Sequence, residues 1–335
     1  MRALTVIVAA YEKVSGVSGR LRPEIRPVDR RLRVRVDERR GEGDDVVSLH
    51  VTPVTGAPLP AWHPGAHVDV ELPSGRLRQY SLCGDPADPD RYRIAVRRIA
   101  DGGGGSIEMH ALRAGDEVTL RGPRQAFPLI TADRYLFVAG GIGITPILPM
   151  VRAAARRGAE WQLVYTGRTR ASMPFLAELA GLGPERVHIR PDDEAGAPTG
   201  EDLIARAPYG AALYACGPPP MIDALRAVPR SGRISSLHHE RFSPPPVVGG
   251  RPFQAVLARS GHVVAVGADE TALTAIRRVR PDIAYSCQQG FCGTCPVALL
   301  GGEVEHRDRC LTDGQRTTRM AICVSRASGQ VTLDL

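Results

Sequence analysis

The sequence predicts a multidomain protein: an antiparallel β-barrel first, an α/β domain on a parallel sheet second, and a small α+β domain last. Three observations lead there. Apolar residues alternate with polar ones up to about residue 128, continuous apolar runs ending in glycine replace that rhythm afterwards, and a Pro/Gly-rich break at 243–250 precedes a short cysteine-rich segment. A chain of 335 residues suits two or three domains.

The barrel is read from period-two runs. Leu32, Val34 and Val36 alternate with polar residues, as do Val47, Leu49 and Val51, then Val68, Val70 and Leu72, then Tyr92, Ile94 and Val96, then Val118 and Leu120. Short alternating runs broken by Gly and Pro are antiparallel strands with one buried face. Five or six of them in about ninety residues make a small barrel. Residues 1–30 carry no usable motif. Their apolar stretch Leu4–Ala10 reads as a strand, not a signal peptide, because Tyr11-Glu12-Lys13 follows at once without a small-residue cleavage site.

After Pro128 the apolar runs are unbroken: Tyr135–Ala139, Trp161–Tyr165 and Ala211–Ala215, with a helical stretch from about Pro146 to Arg156. Strands without alternation, separated by helices, belong to a parallel sheet covered on both faces. Ser243-Pro244-Pro245-Pro246-Val247-Val248-Gly249-Gly250 suits neither helix nor strand and reads as a linker. The remainder reads as a strand at Phe253–Ala258, a strand at His262–Val266, a helix near Glu270–Arg278, a cysteine loop, and a last strand at Val331–Leu335.

Composition narrows the function. With 43% hydrophobic and 24% charged residues, the chain is of globular type. No apolar run reaches the roughly eighteen residues of a membrane span. The formal charge is +7, almost all of it arginine, with Lys13 the single lysine. These arginines are scattered and not interleaved with aromatics, which argues against a nucleic-acid surface. Seven cysteines, an odd number bunched late in the chain, do not form a disulfide framework, and a reducing cytoplasm is expected.

The sharpest signal is Ser286-Cys287-Gln288-Gln289-Gly290-Phe291-Cys292-Gly293-Thr294-Cys295, spaced C-x4-C-x2-C, with twenty-seven residues between Cys295 and Cys323. This is the spacing of plant-type [2Fe–2S] ligands. Two sulfide-bridged irons need four thiolates. A tight loop can supply Cys287, Cys292 and Cys295, and a distant strand Cys323. Gly290 and Gly293 let the backbone curl and aim N–H groups at sulfur. A zinc site more often pairs its cysteines in two short hairpins, and ordinary buried cysteines leave the loop glycines unexplained. Cys310 has no place in the spacing and reads as a plain thiol.

Two segments point to nucleotides. Gly140-Gly141-Ile142-Gly143-Ile144-Thr145-Pro146 ends an apolar strand and opens a helix, where glycines and free N–H groups accept a pyrophosphate; a structural tight turn is the other reading. Tyr214-Ala215-Cys216-Gly217-Pro218 ends another strand the same way. The residues alone leave Cys216 open between a nicotinamide contact and a small buried hydrophobe. Two further segments suit a flavin. Arg78, Tyr80 and Ser81 offer charge, a flat ring and a hydroxyl from one strand, although an exposed Arg and a barrel Tyr would look alike. Gly102–Ile107 is either a phosphate cradle or a flexible loop.

Together these segments resemble the phthalate dioxygenase reductase and vanillate demethylase reductase family, within the ferredoxin–NADP reductase superfamily. The matching pieces are Gly65-Ala66-His67-Val68-Asp69-Val70, Arg78–Leu82, Gly104-Gly105-Ser106, Gly140–Pro146, Cys216-Gly217-Pro218, Glu240-Arg241-Phe242 and the cysteine set. The resemblance covers roughly residues 30–335. It implies an FMN-binding β-barrel at 31–128, an NAD-binding α/β domain at 129–242, a linker at 243–251 and a β-grasp [2Fe–2S] ferredoxin domain at 252–335; the N-terminal extension at 1–30 is a departure from the family pattern.

The same resemblance implies FMN, with FAD as the alternative. The isoalloxazine would lie on Arg78, Tyr80 and Ser81, its phosphate near Gly105 and Ser106, and Phe242 over its face; a core Phe is the other reading of Phe242. NADH would bind at Gly140, Gly141, Gly143, Thr145, Cys216, Gly217 and Pro218, and give a hydride to the flavin. Single electrons would then pass through the cluster to a Rieske-type oxygenase. A cytochrome P450 is the alternative acceptor, and a non-enzymatic iron–sulfur sensor is the rival class. No side-chain acid or base is required, so no catalytic triad is expected. NADH is expected over NADPH: Arg168 and Arg170 would pair a 2′-phosphate, but Asp192-Asp193-Glu194 would repel it. A second departure lies in the flavin segment. An Arg commonly precedes the family's Gly-Gly-Ser, and here that position is Gly103, so that either Arg97 or Arg98 replaces the charge or the flavin phosphate is held less tightly.

Overall fold

The computed structural model describes residues 31–335 apart from 101–102, 229–231, 245 and 286. The extension 1–30, with the strand expected at Leu4–Ala10, lies outside the described residues. Residues Arg31–Leu335 form one compact unit built on three sheets.

The first sheet has strands β1 (Arg31–Gly43), β2 (Val46–Pro53), β3 (Ala66–Glu71), β4 (Leu77–Ser81), β5 (Tyr92–Arg97) and β6 (Glu117–Gln125), in the order β4-β3-β6-β1-β2-β5. Every pairing is antiparallel. The curled sheet is brought towards closure by a bridge between Leu82 and Ile94. The alternating residues fill its interior: Val34, Val36, Leu49, Val51, Val68, Val70, Ile94 and Leu120 are all buried there, as the period-two pattern requires.

The second sheet is wholly parallel. Its strands are β7 (Arg134–Gly140), β8 (Glu160–Gly167), β9 (Val187–Pro191), β10 (Ala211–Cys216) and β11 (Ile234–Glu240), ordered β11-β10-β7-β8-β9. Tyr135, Phe137 and Ala139 of β7 face one core, and Leu136 and Val138 face the other. Burial on both sides is why this strand shows no polar alternation. Chain order reverses beside β7, so the loops after β7 and β10 meet at one end of the sheet, where such sheets bind ligands. Arg93 of β5 joins the barrel to this domain. It donates to both carboxylate oxygens of Glu178 at 3.0 and 3.1 Å and lies over the Phe175 ring at 4.7 Å.

The third sheet is mixed: β12 (Phe253–Leu257), β13 (Val263–Val266), β14 (Pro296–Glu305), β15 (Arg319–Ala321) and β16 (Arg326–Leu333), ordered β13-β12-β16-β14-β15. Strands β12 and β16 pair in parallel, the others antiparallel. A short helix, Ala272–Ile276, packs on the core. The sequence reading missed β11, β14 and β15 and started the last strand five residues late. β11 carries few apolar residues. β14 contains Gly301-Gly302, which reads as a turn but sits at an irregularity in strand pairing. No helix among the described residues is long and apolar enough to cross a membrane.

Candidate functional site

A cleft of about 350 Å³ opens where the three sheets meet. From the barrel it is lined by Arg78, Tyr80 and Ser81 of β4, by Arg97 at the end of β5, and by Gly105 and Ser106. The parallel-sheet domain adds Thr145, Glu240 and Phe242, and the third domain adds Tyr285, Cys287 and Gln289. All six residues expected around a flavin in the barrel therefore share one cavity with a predicted cluster ligand. Phe242 is 47% exposed at the cleft, so it is not a core residue.

The cleft presents uncharged polar groups from buried positions. Burial raises the Glu240 pKa to about 8. Burial, with a smaller contribution from Arg124, lowers that of His67 to about 4. Both groups are therefore largely neutral near pH 7. Both His67 nitrogens, Gln79 Nε2 and Glu240 Oε2 are buried without hydrogen-bond partners. Buried polar atoms ordinarily find partners. A flat heteroaromatic ring with donors and acceptors on its edge, such as isoalloxazine, suits these atoms. Arg78 donates to Leu77 O at 2.8 Å, Gly103 O at 3.1 Å and Tyr285 Oη at 2.7 Å. Ser106 Oγ accepts from Ile99 N at 3.0 Å. Of the two substitute charges, Arg97 faces the cleft, whereas Arg98 is held by Asp45 at 3.0 Å.

The two nucleotide loops are packed on each other. A Cβ at Gly143 would lie 2.2 Å from Cys216 O, and one at Gly140 would lie 2.6 Å from Pro218 Cδ. Gly143 is thus required by close approach of the loops. Gly141 O accepts from Tyr165 Oη at 3.1 Å, and Thr145 Oγ1 donates to Ile142 O at 3.0 Å. Of the nucleotide residues named from sequence, Thr145 reaches the cleft; Gly140, Gly141, Gly143, Cys216, Gly217, Pro218, Arg168 and Asp192 do not line it. The Cys216 side chain is fully buried beside Glu240, the partner residue on β11, which favours its reading as a small core residue. Farther along the sheet edge Arg170 pairs with Glu194 at 2.6 and 2.8 Å, Arg168 is exposed, and Asp192 keeps one buried oxygen without a partner.

The four expected cluster cysteines are drawn together from the loop and from the turn between β15 and β16. Their thiols fall in two neighbouring pairs, Cys287 with Cys292 and Cys295 with Cys323. Within each pair the neighbouring thiol lowers the pKa of Cys292 and Cys295 and raises that of their partners. Two irons, each taking two thiolates, call for such a pairing. Gly290 and Gly293 both have positive φ, +79° and +71°, so the loop curls at both. Gln289 N donates to Cys287 Sγ at 3.3 Å, and Cys292 Sγ lies 3.3 Å from Thr294 Oγ1. Cys310 lies beside the loop near Gly293, but its thiol donates to Asp308 Oδ2 at 3.9 Å.

Sequence reasoning missed Tyr285, Arg277 and the roles of His67, Gln79 and Glu240. His67 and Glu240 lie inside motifs quoted for the resemblance and were within reach. Nothing in the sequence ties Tyr285 or Arg277 to Arg78, because that contact is made only when the third domain docks.

The fold and the site define an electron-transfer oxidoreductase with a nucleotide domain and an iron–sulfur domain on one chain. An oxidoreductase NAD-binding domain family matches residues 137–227, and a 2Fe-2S iron–sulfur cluster binding domain family matches residues 256–328. Phthalate dioxygenase reductase of Burkholderia cepacia is 34% identical over 314 residues, covering 91% of this chain and 97% of that protein. Its namesake among solved structures, described as modular for electron transfer from pyridine nucleotides to [2Fe–2S], superposes with a TM-score of 0.66 at 34% identity, over 92% of this chain and 98% of that one. A putative toluene-4-sulfonate monooxygenase system reductase subunit of Comamonas testosteroni is 39% identical over 300 residues, 87% of this chain and 95% of its own length. The chain also matches 44% of a full-length cytochrome P450, CYP116B46 of Tepidiphilus thermophilus, at 40% identity and a TM-score of 0.66 over 94% of this chain. The chain belongs to the phthalate dioxygenase reductase family of oxygenase reductases.

Proposed function

We propose that this chain is the cytoplasmic reductase component of a Rieske-type oxygenase, with FMN in the three-walled cleft and a [2Fe–2S] cluster on Cys287, Cys292, Cys295 and Cys323. The carrying observation is the shared cleft: the flavin strand, Phe242 and Cys287 line one cavity. The bound groups supply the redox chemistry, hydride from NADH to the flavin and then single electrons by way of the cluster. The chain's residues position and tune. Arg78 offers charge and N–H donors, Tyr80 and Phe242 offer flat apolar contact, and neutral Glu240 and His67 offer hydrogen bonds without adding charge. The domain division at 31–128, 129–242 and 252–335 with a linker at 243–251 follows the same reading.

NADH is the preferred nucleotide. Arg170 is engaged by Glu194, and Asp192 offers an unpartnered oxygen to a ribose hydroxyl but repels a 2′-phosphate. The second reading, a cytochrome P450 as acceptor, is favoured by the likeness to a P450 that carries a similar segment. One set of measurements tests the proposal. Anaerobic NADH should bleach both the flavin and the cluster bands, acid-released flavin should run as FMN, and kcat/KM with NADH should exceed that with NADPH at least tenfold, a difference of about 1.4 kcal/mol. Released FAD overturns the FMN assignment, an NADH-inert spectrum overturns the reductase reading, and equal use of NADPH overturns the role given to Asp192.

A further inference from the structure

Two arginines from different domains meet on one aromatic ring at the edge of the cleft. Arg78 of the barrel and Arg277 of the third domain each place the guanidinium carbon 4.4 Å from the centroid of Tyr285. A Cβ built on Gly103 would lie 2.6 Å from Tyr285 Oη, 2.9 Å from Arg277 Nη2 and 3.1 Å from Arg78 Nη2. Three donor groups thus converge on one point, next to Gly104-Gly105-Ser106. The Arg277 guanidinium stands where a side chain at position 103 would otherwise be. Its Nε is buried without a partner. The nearby carboxylate Glu108 is already engaged by Ser74 and Arg76. Arg98 is held by Asp45. Two guanidinium charges so close repel each other, and a multiply charged anion between them turns that repulsion into attraction.

We propose that Arg277, carried by the iron–sulfur domain, binds the terminal phosphate of the flavin together with Arg78, so that the third domain completes the flavin site. The inference rests on the FMN reading above. It assigns the charge absent from position 103 to a residue about 170 positions away in sequence, delivered by domain packing that brings Tyr285 onto Arg78.

The test compares FMN with riboflavin, which lacks the phosphate, on the full-length protein stripped of flavin, with affinity read from flavin fluorescence. Wild type should hold FMN well above riboflavin. Arg277→Gln should raise the Kd for FMN at least tenfold, leave the Kd for riboflavin unchanged, and leave the cluster absorbance intact; Arg277→Lys should recover part of the loss. An unchanged FMN affinity in Arg277→Gln overturns the inference. So does an equal loss for both flavins, which would make Arg277 a packing residue only. A wild-type protein that binds riboflavin as tightly as FMN overturns the phosphate reading itself, and is distinguished by appearing without any substitution.

Discussion

Cys292→Ser is expected to reduce cluster content more than tenfold while flavin stays bound. Cys292 neighbours Cys287 in one of the two thiol pairs, and its sulfur lies 3.3 Å from Thr294 Oγ1. An iron held by that pair would be left with one protein thiolate. Serine is a harder, far less acidic donor and a poor replacement for the thiolate. The flavin cleft is lined by Cys287 and Gln289 but not by Cys292, so flavin retention should survive. Cys310→Ser, by contrast, should leave iron content near that of wild type, since the Cys310 sulfur turns to Asp308. Iron and flavin analysis of the two variants checks both halves. A Cys292→Ser protein with full iron and an unaltered spectrum would remove Cys292 from the ligand set.

Gly143→Ala is expected to cost about 2–3 kcal/mol of stability and to raise KM for NADH. Gly143 has φ −63°, a conformation alanine adopts freely, so backbone strain is not the cause. The cause is space. The added Cβ would lie 2.2 Å from Cys216 O, 2.5 Å from Cys216 C and 2.9 Å from Gly217 N, all backbone atoms of the neighbouring loop. No rotamer relieves the contact, so the loops after β7 and β10 have to separate. Those loops form the carboxyl end of the sheet, where a nucleotide binds. Denaturant melts and steady-state kinetics measure the two effects. A variant as stable as wild type with an unchanged KM would mean that the loops part without penalty and that their spacing is irrelevant to the nucleotide.

The parts legible in the sequence are those written as local periodicity or spacing. Alternation at Val34, Val36, Val68 and Val70 marked the barrel because these apolar residues fill its interior, although in β3 the intervening His67 and Asp69 are buried as well. The unbroken Tyr135–Ala139 run marked the parallel sheet because both of its faces are covered. The cysteine spacing marked the thiols. The illegible parts depend on docking or on irregular strands. Glycines at 102–105 look like a flexible loop by composition, yet Gly103 is hemmed in by Arg78, Arg277 and Tyr285, and a Cβ on Gly105 would strike Arg78. The Gly301 irregularity hid β14. Glu240 gave no sign in sequence that burial would leave it neutral, because that follows from what packs around it.

A cleft with walls from all three sheets has a thermodynamic consequence. Domains that merely touch melt separately, but a ligand that binds only their assembled form lowers the free energy of that form alone. Dissociation of the flavin and separation of the domains then become one event, and the cofactor acts as a cross-link without a covalent bond. Calorimetry should therefore record a single cooperative transition for the flavin-loaded protein, moving to lower temperature and splitting when flavin is removed. Identical single-step traces with and without flavin would show that the domains are welded by other contacts, such as the Arg93–Glu178 pair, and that the flavin adds nothing to their union.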